Sequence, residues 1–218
     1  MVIAFKHKPV IAFLGVDGAG KTTVMNAVLP IMEQHTGGQF VIHHLKPDLL
    51  PPLGRFRGIK HEPGWVCTNP HGSKPSGFIG SCFRLTYLMT DYILGYWFKV
   101  RRQIKKQGIA GWAFDRYAYD LLIDPLRFRI KLPSWIISFG LRLVPRPDVI
   151  LCLGGDPEKI YARKPETSLA EVARQVAELK KFCDKNKRAV WIDTTARIET
   201  SRDAVLTALA IPRLMPHD

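Results

Sequence analysis

The chain has 218 residues, of which 46% are hydrophobic and 23% charged, a composition typical of one globular α/β domain. Lys and Arg outnumber Asp and Glu by 32 to 19, giving a formal net charge of +13, yet no nucleic-acid-binding module is recognisable. The apolar runs are too short or too charged to span a bilayer, and the N-terminus lacks a signal-peptide pattern, so we expect a cytoplasmic protein.

Short apolar runs alternate with longer helical patterns, which is typical of a parallel sheet with crossover helices. The runs are almost wholly hydrophobic, as expected for strands covered on both faces. We therefore predict an α/β fold with a five-stranded parallel sheet and helices on both faces. The predicted strands are Val10–Val16, Phe40–Leu45, Ile109–Asp115, Val149–Gly154 and Ala189–Asp193.

The helices are predicted from apolar periodicity and from residues that favour helix ends. The first helix starts at Gly20, and Pro30 should kink it or end it early. The second covers Phe78 to Gln107 and is stopped by Gly108. Three further starts are predicted at Asp156 followed by Pro157, at Ser168 followed by Glu171 in a capping box, and at Thr200 followed by Asp203.

One segment, residues 47–77, interrupts this alternation with six prolines and five glycines. So long a connection is uncommon inside a compact domain and tends to be functional or disordered. It follows the second predicted strand, and we favour a substrate-binding loop over a disordered insertion. We treat residues 1–218 as a single domain containing this insertion.

The strongest chemical signal is the segment from Gly15 to Thr23, which follows an apolar strand and opens a helix. It fits the pattern GxxxxGK[ST]. In such a loop the glycines turn backbone N–H groups toward phosphates, and the helix N-terminus adds partial positive charge. Lys21 would reach the β- and γ-phosphates of ATP, and the Thr22 hydroxyl would bind Mg²⁺. The predicted nucleotide-binding residues are Gly15, Asp17, Gly18, Ala19, Gly20, Lys21, Thr22 and Thr23.

This loop, together with its preceding residues Phe13 and Leu14, resembles the first motif of thymidylate kinases. A second resemblance is Phe114–Asp115–Arg116–Tyr117, which is similar to the DRY motif at the end of that family's third strand. Residues 156–164 resemble the start of the mobile lid, which we place at about 163–168. The end of the fifth strand, residues 192–194, falls where the family approaches the adenine.

The resemblance implies a three-layer P-loop NTPase fold and an ATP- and Mg²⁺-dependent kinase. Asp17 would contact the acceptor's sugar, Asp115 would assist the Mg²⁺ site, and Arg116 would grip the acceptor's phosphate. The loop itself offers no arginine, so Arg163 of the lid is the candidate for the catalytic cation, with Lys164 beside it. Phosphoryl transfer requires such positive charge around the transferred group.

The thymine-recognition residues of the family are not intact in this chain. Its arginine-containing segment after the second strand has no convincing match here. Where the family has an Asp–Arg pair in the second helix, this chain has Asp91–Tyr92, and Asp120 and the stretch 121–124 stand where a serine and a glutamine are usual. Asp91, Tyr92 and Tyr117 remain candidate substrate contacts. The acceptor is therefore either a nucleoside monophosphate such as dTMP or a sugar or glycan of surface-polysaccharide synthesis.

A sugar hydroxyl benefits from a carboxylate that takes its proton, whereas a phosphate acceptor needs little base. Asp17, Asp91 and Asp120 are the candidates for such a base, and each could equally be a helix-cap or surface carboxylate. A non-catalytic nucleotide sensor is the third interpretation. The excess positive charge could be solvated, or could suit an anionic membrane surface or a glycan. The resemblance also implies a homodimer through the second long helix.

Overall fold

A computed structural model of the chain describes residues 8–47, 49–51, 74–103 and 108–209. These residues contain a five-stranded sheet in the order β2-β3-β1-β4-β5, with every neighbouring pair parallel. The predicted sheet and its five strands are confirmed. Their bounds are β1 Val10–Gly15, β2 Gln39–His44, β3 Ile109–Asp115, β4 Val149–Gly154 and β5 Ala189–Asp193.

Helices cover both faces of the sheet, so that the central strands β1 and β4 are buried along their whole length. One face packs against α1 and α8, and the other against α2, α4, α5 and α7. The helices are α1 Lys21–Thr36, α2 Phe78–Gly95, α3 Arg101–Gln103, α4 Asp120–Ile123, α5 Ser134–Leu141, α6 Pro157–Arg163, α7 Leu169–Lys185 and α8 Ile198–Ala208. No helix in the described ranges is long and apolar enough to cross a bilayer.

Two predicted helix starts are confirmed by their caps. Asp156 accepts a hydrogen bond from the Glu158 amide at 2.9 Å ahead of α6. Ser168 accepts one from the Glu171 amide at 3.2 Å ahead of α7. Both interactions join residues two or three positions apart, which explains why local sequence sufficed to predict them.

Three predicted helix bounds differ from the structure. α1 continues through Pro30 to Thr36, because its apolar side, including Val28 and Met32, is buried in the core and this packing outweighs the local cost of proline. α8 starts at Ile198, ahead of the predicted Thr200, with no side-chain cap. α2 ends at Gly95 and continues as a π-helical turn from Tyr96 to Val100.

At Gly95, where the α-helix ends, α2 closely approaches the segment after β2. A Cβ on Gly95 would stand 2.6 Å from the Pro47 side chain, so glycine is required where the chain after β2 crosses α2. Most of the predicted insertion, residues 48 and 52–73, lies outside the described residues, as do residues 104–107 of the predicted second helix.

Candidate active site

The phosphate loop connects the carboxyl end of β1 to the first turn of α1. Gly18 and Gly20 have φ angles of +84° and +74°, values that glycine adopts without strain. α1 begins directly after Gly20 with no side-chain cap and no acidic residue in its first turn. The backbone N–H groups of that turn are therefore available to an anion, and the helix dipole favours one there.

Lys21 is buried inside this loop. Its ammonium donates hydrogen bonds to the carbonyl oxygens of Gly15 at 2.8 Å and Val16 at 2.9 Å. Burial, with a further contribution from the Arg116 charge, lowers the pKa of Lys21 to about 7 from an ordinary value of 10.5. Binding of a phosphate group by Lys21 would replace carbonyl acceptors with an anion and would favour the protonated amine.

Arg116 forms the centre of a buried ion-pair network beside the loop. Its guanidinium contacts Asp17 and also donates to Asp120 Oδ2 at 2.6 Å. Arg116 has a left-handed φ of +74°, an unusual conformation for a residue with a side chain. It follows β3, which pairs with β1, so the conformation turns the side chain back toward the phosphate loop.

Arg127 is a member of this network that the sequence analysis did not identify. It lies in the short 3₁₀ turn Pro125–Phe128 and contacts the second oxygen of Asp17. Burial alone would raise the pKa of Asp17, but the positive charges of Arg116, Lys21 and Arg127 hold it well below its usual range. The Asp124–Pro125 pair, a helix-start pattern, was the available sequence signal for this turn, although nothing in it indicated the pairing with Asp17.

Asp115 lies at the end of β3. One of its oxygens, Oδ2, is hydrogen-bonded to His44 Nδ1 at 3.2 Å. Its other oxygen, Oδ1, is buried, and no group in the described residues hydrogen-bonds to it. Burial raises the pKa of Asp115, but the hydrogen bond from His44 and the nearby Lys21 charge lower it to a net value below normal. A buried, ionised oxygen without a hydrogen-bond partner fits a hard cation such as Mg²⁺.

Asp91 is fully buried, and its carboxylate holds the segment after β2 against α2. One oxygen contacts the Lys46 ammonium, and the other accepts the backbone amides of Leu49 at 2.8 Å and Leu50 at 2.9 Å. These contacts use the carboxylate for structure. A role for Asp91 as a substrate contact or as a base would require breaking them.

Tyr92 and Tyr117 lie in the core, each about 2% exposed, with ring centroids 5.2 Å apart. The Tyr92 hydroxyl donates to the Leu45 carbonyl, and the Tyr117 hydroxyl donates to the Pro145 carbonyl at 2.6 Å. Both candidate substrate residues therefore support the site from beneath. Direct contact with an acceptor stays a prediction for them.

The segment predicted to form the lid begins where α6 ends, next to the phosphate loop. A Cβ on Gly18 would stand 2.7 Å from the Ile160 carbonyl and 3.2 Å from the Lys164 Cβ, so the two segments touch. Arg163 instead donates to the Thr194 carbonyl at 2.9 Å, near the end of β5. In this arrangement Lys164 has its backbone closer to the phosphate loop, while Arg163 lies toward the predicted adenine side.

The fold is similar to solved thymidylate kinases. That of Ehrlichia chaffeensis aligns with a TM-score of 0.61 over 93% of this chain and 99% of its own, at 15% sequence identity. That of Candida albicans aligns with a TM-score of 0.56 over 91% of this chain and 89% of its own, at 17% identity. No protein-family model matches the sequence, and neither does any curated protein. The chain therefore has the three-layer P-loop fold found in thymidylate kinases, with a sequence that has diverged far from both.

Proposed function

We propose that the protein is an ATP-dependent phosphotransferase that moves the γ-phosphate of ATP to a nucleoside monophosphate such as dTMP. The observation that carries this proposal is the network in which Arg116 and Arg127 converge on Asp17 of the phosphate loop. Two guanidinium groups lie beside the loop, both paired with carboxylates, and the phosphate of an acceptor would bind by taking over contacts of these groups, since Arg binds phosphate through two parallel hydrogen bonds.

The state of the carboxylates favours a phosphate acceptor over a sugar hydroxyl. A carboxylate that removes a proton from a hydroxyl works best with a raised pKa, whereas the pKa of Asp17 is held far below normal. Asp120 is paired with Arg116, and Asp91 is saturated by Lys46 and two amides. None of the three candidate bases is poised for proton removal, and an acceptor that is already anionic needs little help of that kind.

The position of Lys21 supports a role for its ammonium in stabilising negative charge on the phosphates. Its ammonium bonds the loop's own carbonyls at 2.8 and 2.9 Å, which places it within the loop that would bind the phosphates. In the protonated form it would balance negative charge between the β- and γ-phosphates. The uncapped first turn of α1 would hold the same phosphates through backbone amides.

Thr22 and Asp115 are the residues that would hold Mg²⁺. The Thr22 side chain is exposed at the start of α1, and Asp115 offers its buried Oδ1. Mg²⁺ usually takes one or two protein ligands, with phosphates and waters completing its octahedron, so these two residues suffice. When bound, the ion neutralises charge on the phosphate oxygens.

For the lid we propose that Lys164 acts together with Arg163. The contact of Lys164 with Gly18 supports a position over the loop, and the exposed Arg163 could swing from Thr194 on closure. Separate Arg163→Ala and Lys164→Ala variants assign the role, because the catalytic cation should lower kcat about 10³-fold and its neighbour much less. Equal, small losses in both variants would remove the lid from the mechanism.

The experiment that tests the function is a coupled ADP-release assay over nucleoside monophosphates and over free and phosphorylated sugars. We expect release only with a nucleoside monophosphate, and loss of it in Lys21→Ala and in Arg116→Ala. Turnover with a carbohydrate and none with any nucleotide would instead support a glycan kinase.

The same assay separates the enzyme from a nucleotide sensor. ATP binding measured by calorimetry, without turnover of any acceptor and without response to Arg163→Ala, would support the sensor. Lys159→Ala is a suitable control, since this cation is exposed on α6 with its charge outside the network described above.

A further inference from the structure

Helix α5 exposes large apolar side chains to solvent. Trp135 is 70% exposed and Phe139 is 64% exposed, as is Leu143 just beyond the end of the helix. The spacing of four residues puts the first two on one side of the helix, while Ile137 and Leu141 on the opposite side are buried in the core. The exposed side is therefore not needed for packing of the described chain, and Trp, Phe and Leu are typical of the apolar side of helices that lie at a membrane interface.

A basic cleft of about 820 Å³ adjoins the other flank of α5. Ser134 and Ser138 of α5, and Arg142 directly after it, line the cleft together with the C-terminal half of α7. Its floor includes Tyr119 and Phe182, whose ring centroids are 4.9 Å apart. The cations that line it are Arg142, Arg146, Lys181, Lys185, Lys187 and Arg188.

The charge of this surface is almost entirely positive. Among the described residues that line the cleft, Glu178 is the one carboxylate, and it is paired with Lys181 at 2.7 Å. The sequence from 125 to 147, which includes α5, contains five Lys or Arg residues and no Asp or Glu. The cleft therefore carries an excess of positive charge, which suits an anionic partner.

The cleft is separate from the candidate active site. Arg188 donates to the Pro147 carbonyl at 2.9 Å, just before β4 begins, whereas the phosphate loop lies beyond the other end of the sheet. β4 has six residues, which separates its two ends by about 17 Å. Bound nucleotide therefore cannot account for these cations.

We propose that α5 and the basic cleft form a contact surface for bilayers that contain anionic lipids. The apolar side chains of Trp135, Phe139 and Leu143 enter the interface, and the adjoining cations bind lipid phosphates. A second copy of the chain fits this surface less well, because pairing two copies through α5 would bring together two regions with no acidic residue between 125 and 147. The proposal does not depend on the proposed function.

The test is co-sedimentation of the full chain with vesicles of phosphatidylcholine, alone or with about one part in four of phosphatidylglycerol, at about 0.15 M salt. We expect binding to the anionic vesicles only. Trp135→Ser/Phe139→Ser should weaken it about tenfold, and Arg142→Glu/Arg146→Glu at least about 25-fold, since each cation near such a surface contributes about fivefold.

Matched controls change the same chemistry elsewhere. Ile42→Ser/Leu169→Ser removes two exposed apolar side chains, and Lys159→Glu/Arg197→Glu reverses two exposed cations. Both should bind as the unaltered chain does. Because all eight positions are exposed at the surface, we expect every variant to fold, and circular dichroism checks this.

Three results would overturn the proposal. The first is a failed vesicle test, in which the chain does not bind anionic vesicles or the control and α5 variants bind them equally well. The second is calorimetric binding of inorganic pyrophosphate that Arg142→Glu/Arg146→Glu abolishes while vesicles do not bind, which would make the cleft a site for a free anion. The third is a dimer in light scattering that Trp135→Ser/Phe139→Ser converts to a monomer, which would assign the surface to a second copy.

Discussion

The two ends of the parallel sheet differ in how far their positive charges are paired with carboxylates. At the carboxyl end, Arg116 is matched to Asp17 and Asp120 and the largely buried Lys46 to Asp91, while the buried Lys21 donates to backbone carbonyls. At the amino end, the cleft beside α5 carries six cations and one carboxylate, mostly exposed. Charges of the first kind are part of the folded structure, whereas charges of the second kind contribute little to stability and remain available to a partner.

The largest difference should appear on removal of a single guanidinium. Arg116→Met leaves two carboxylates, those of Asp17 and Asp120, without their shared cation in a buried site. We expect the free energy of unfolding to fall by about 3–5 kcal/mol and phosphate transfer to be lost. Arg142→Met at the opposite end should change the free energy of unfolding by less than about 0.5 kcal/mol. Urea unfolding measures both.

Arg116→Lys keeps the charge and so controls for it, but a lysine cannot contact two carboxylates with the geometry of a guanidinium. We expect it to recover part of the stability and little of the activity. Equal urea midpoints for Arg116→Met and Arg142→Met would remove the distinction between the two ends.

The next effect concerns Asp91, which is either a structural clamp or a base. Asp91→Ala would remove the carboxylate shared by the largely buried Lys46 and the Leu49 and Leu50 amides, at a cost of about 3 kcal/mol. Glu178→Ala, which breaks the more exposed pair beside the cleft, should cost about 0.5 kcal/mol or less. Loss of ADP release with an unchanged urea midpoint would show instead that Asp91 acts as a base.

A smaller effect follows from the lowered pKa of Lys21. Its value is about 7 in the folded chain and near 10.5 when unfolded, so between these values the unfolded chain binds more protons. The free energy of unfolding should then rise with pH, by about 1.4 kcal/mol per unit and about 2 kcal/mol between about pH 7.5 and 9. Lys21→Met should abolish this rise, and exposed Lys159→Met should not. A rise of equal size in Lys21→Met would contradict the burial of the amine.

Much of the fold could be predicted because its signals are local. The five strands are continuous apolar runs, and the phosphate loop is a short contiguous motif. Asp156 and Ser168 cap their helices by bonding amides two and three residues further along the chain. Proline at position 30 misled the prediction, because its cost is local while the packing that outweighs it is tertiary.

The site was less predictable, because its key interactions join distant parts of the sequence. Arg127 and Asp17 are 110 residues apart, and Asp91 meets Lys46 across 45 residues. A basic residue in a polar stretch and an aspartate in a helix carry no sign of such partners. Sequence motifs therefore indicated the phosphate loop and Arg116. The contacts made by Asp91, Tyr92 and Arg127 became visible only in the folded structure.

Arg127 sharpens the comparison most, because its removal should affect stability and activity differently. Arg127 is partly exposed, with 23% of its side chain accessible, and Asp17 keeps Arg116 when Arg127 is removed. Arg127→Ala should therefore cost about 1 kcal/mol or less in unfolding free energy. If its guanidinium binds an acceptor phosphate, however, the KM for the acceptor should rise about tenfold or more, with the KM for ATP unchanged. Arg127→Lys should have an acceptor KM between those of the unaltered chain and Arg127→Ala. An unchanged acceptor KM would make Arg127 a structural partner of Asp17 alone, and Arg116 would then be the sole guanidinium proposed for the acceptor.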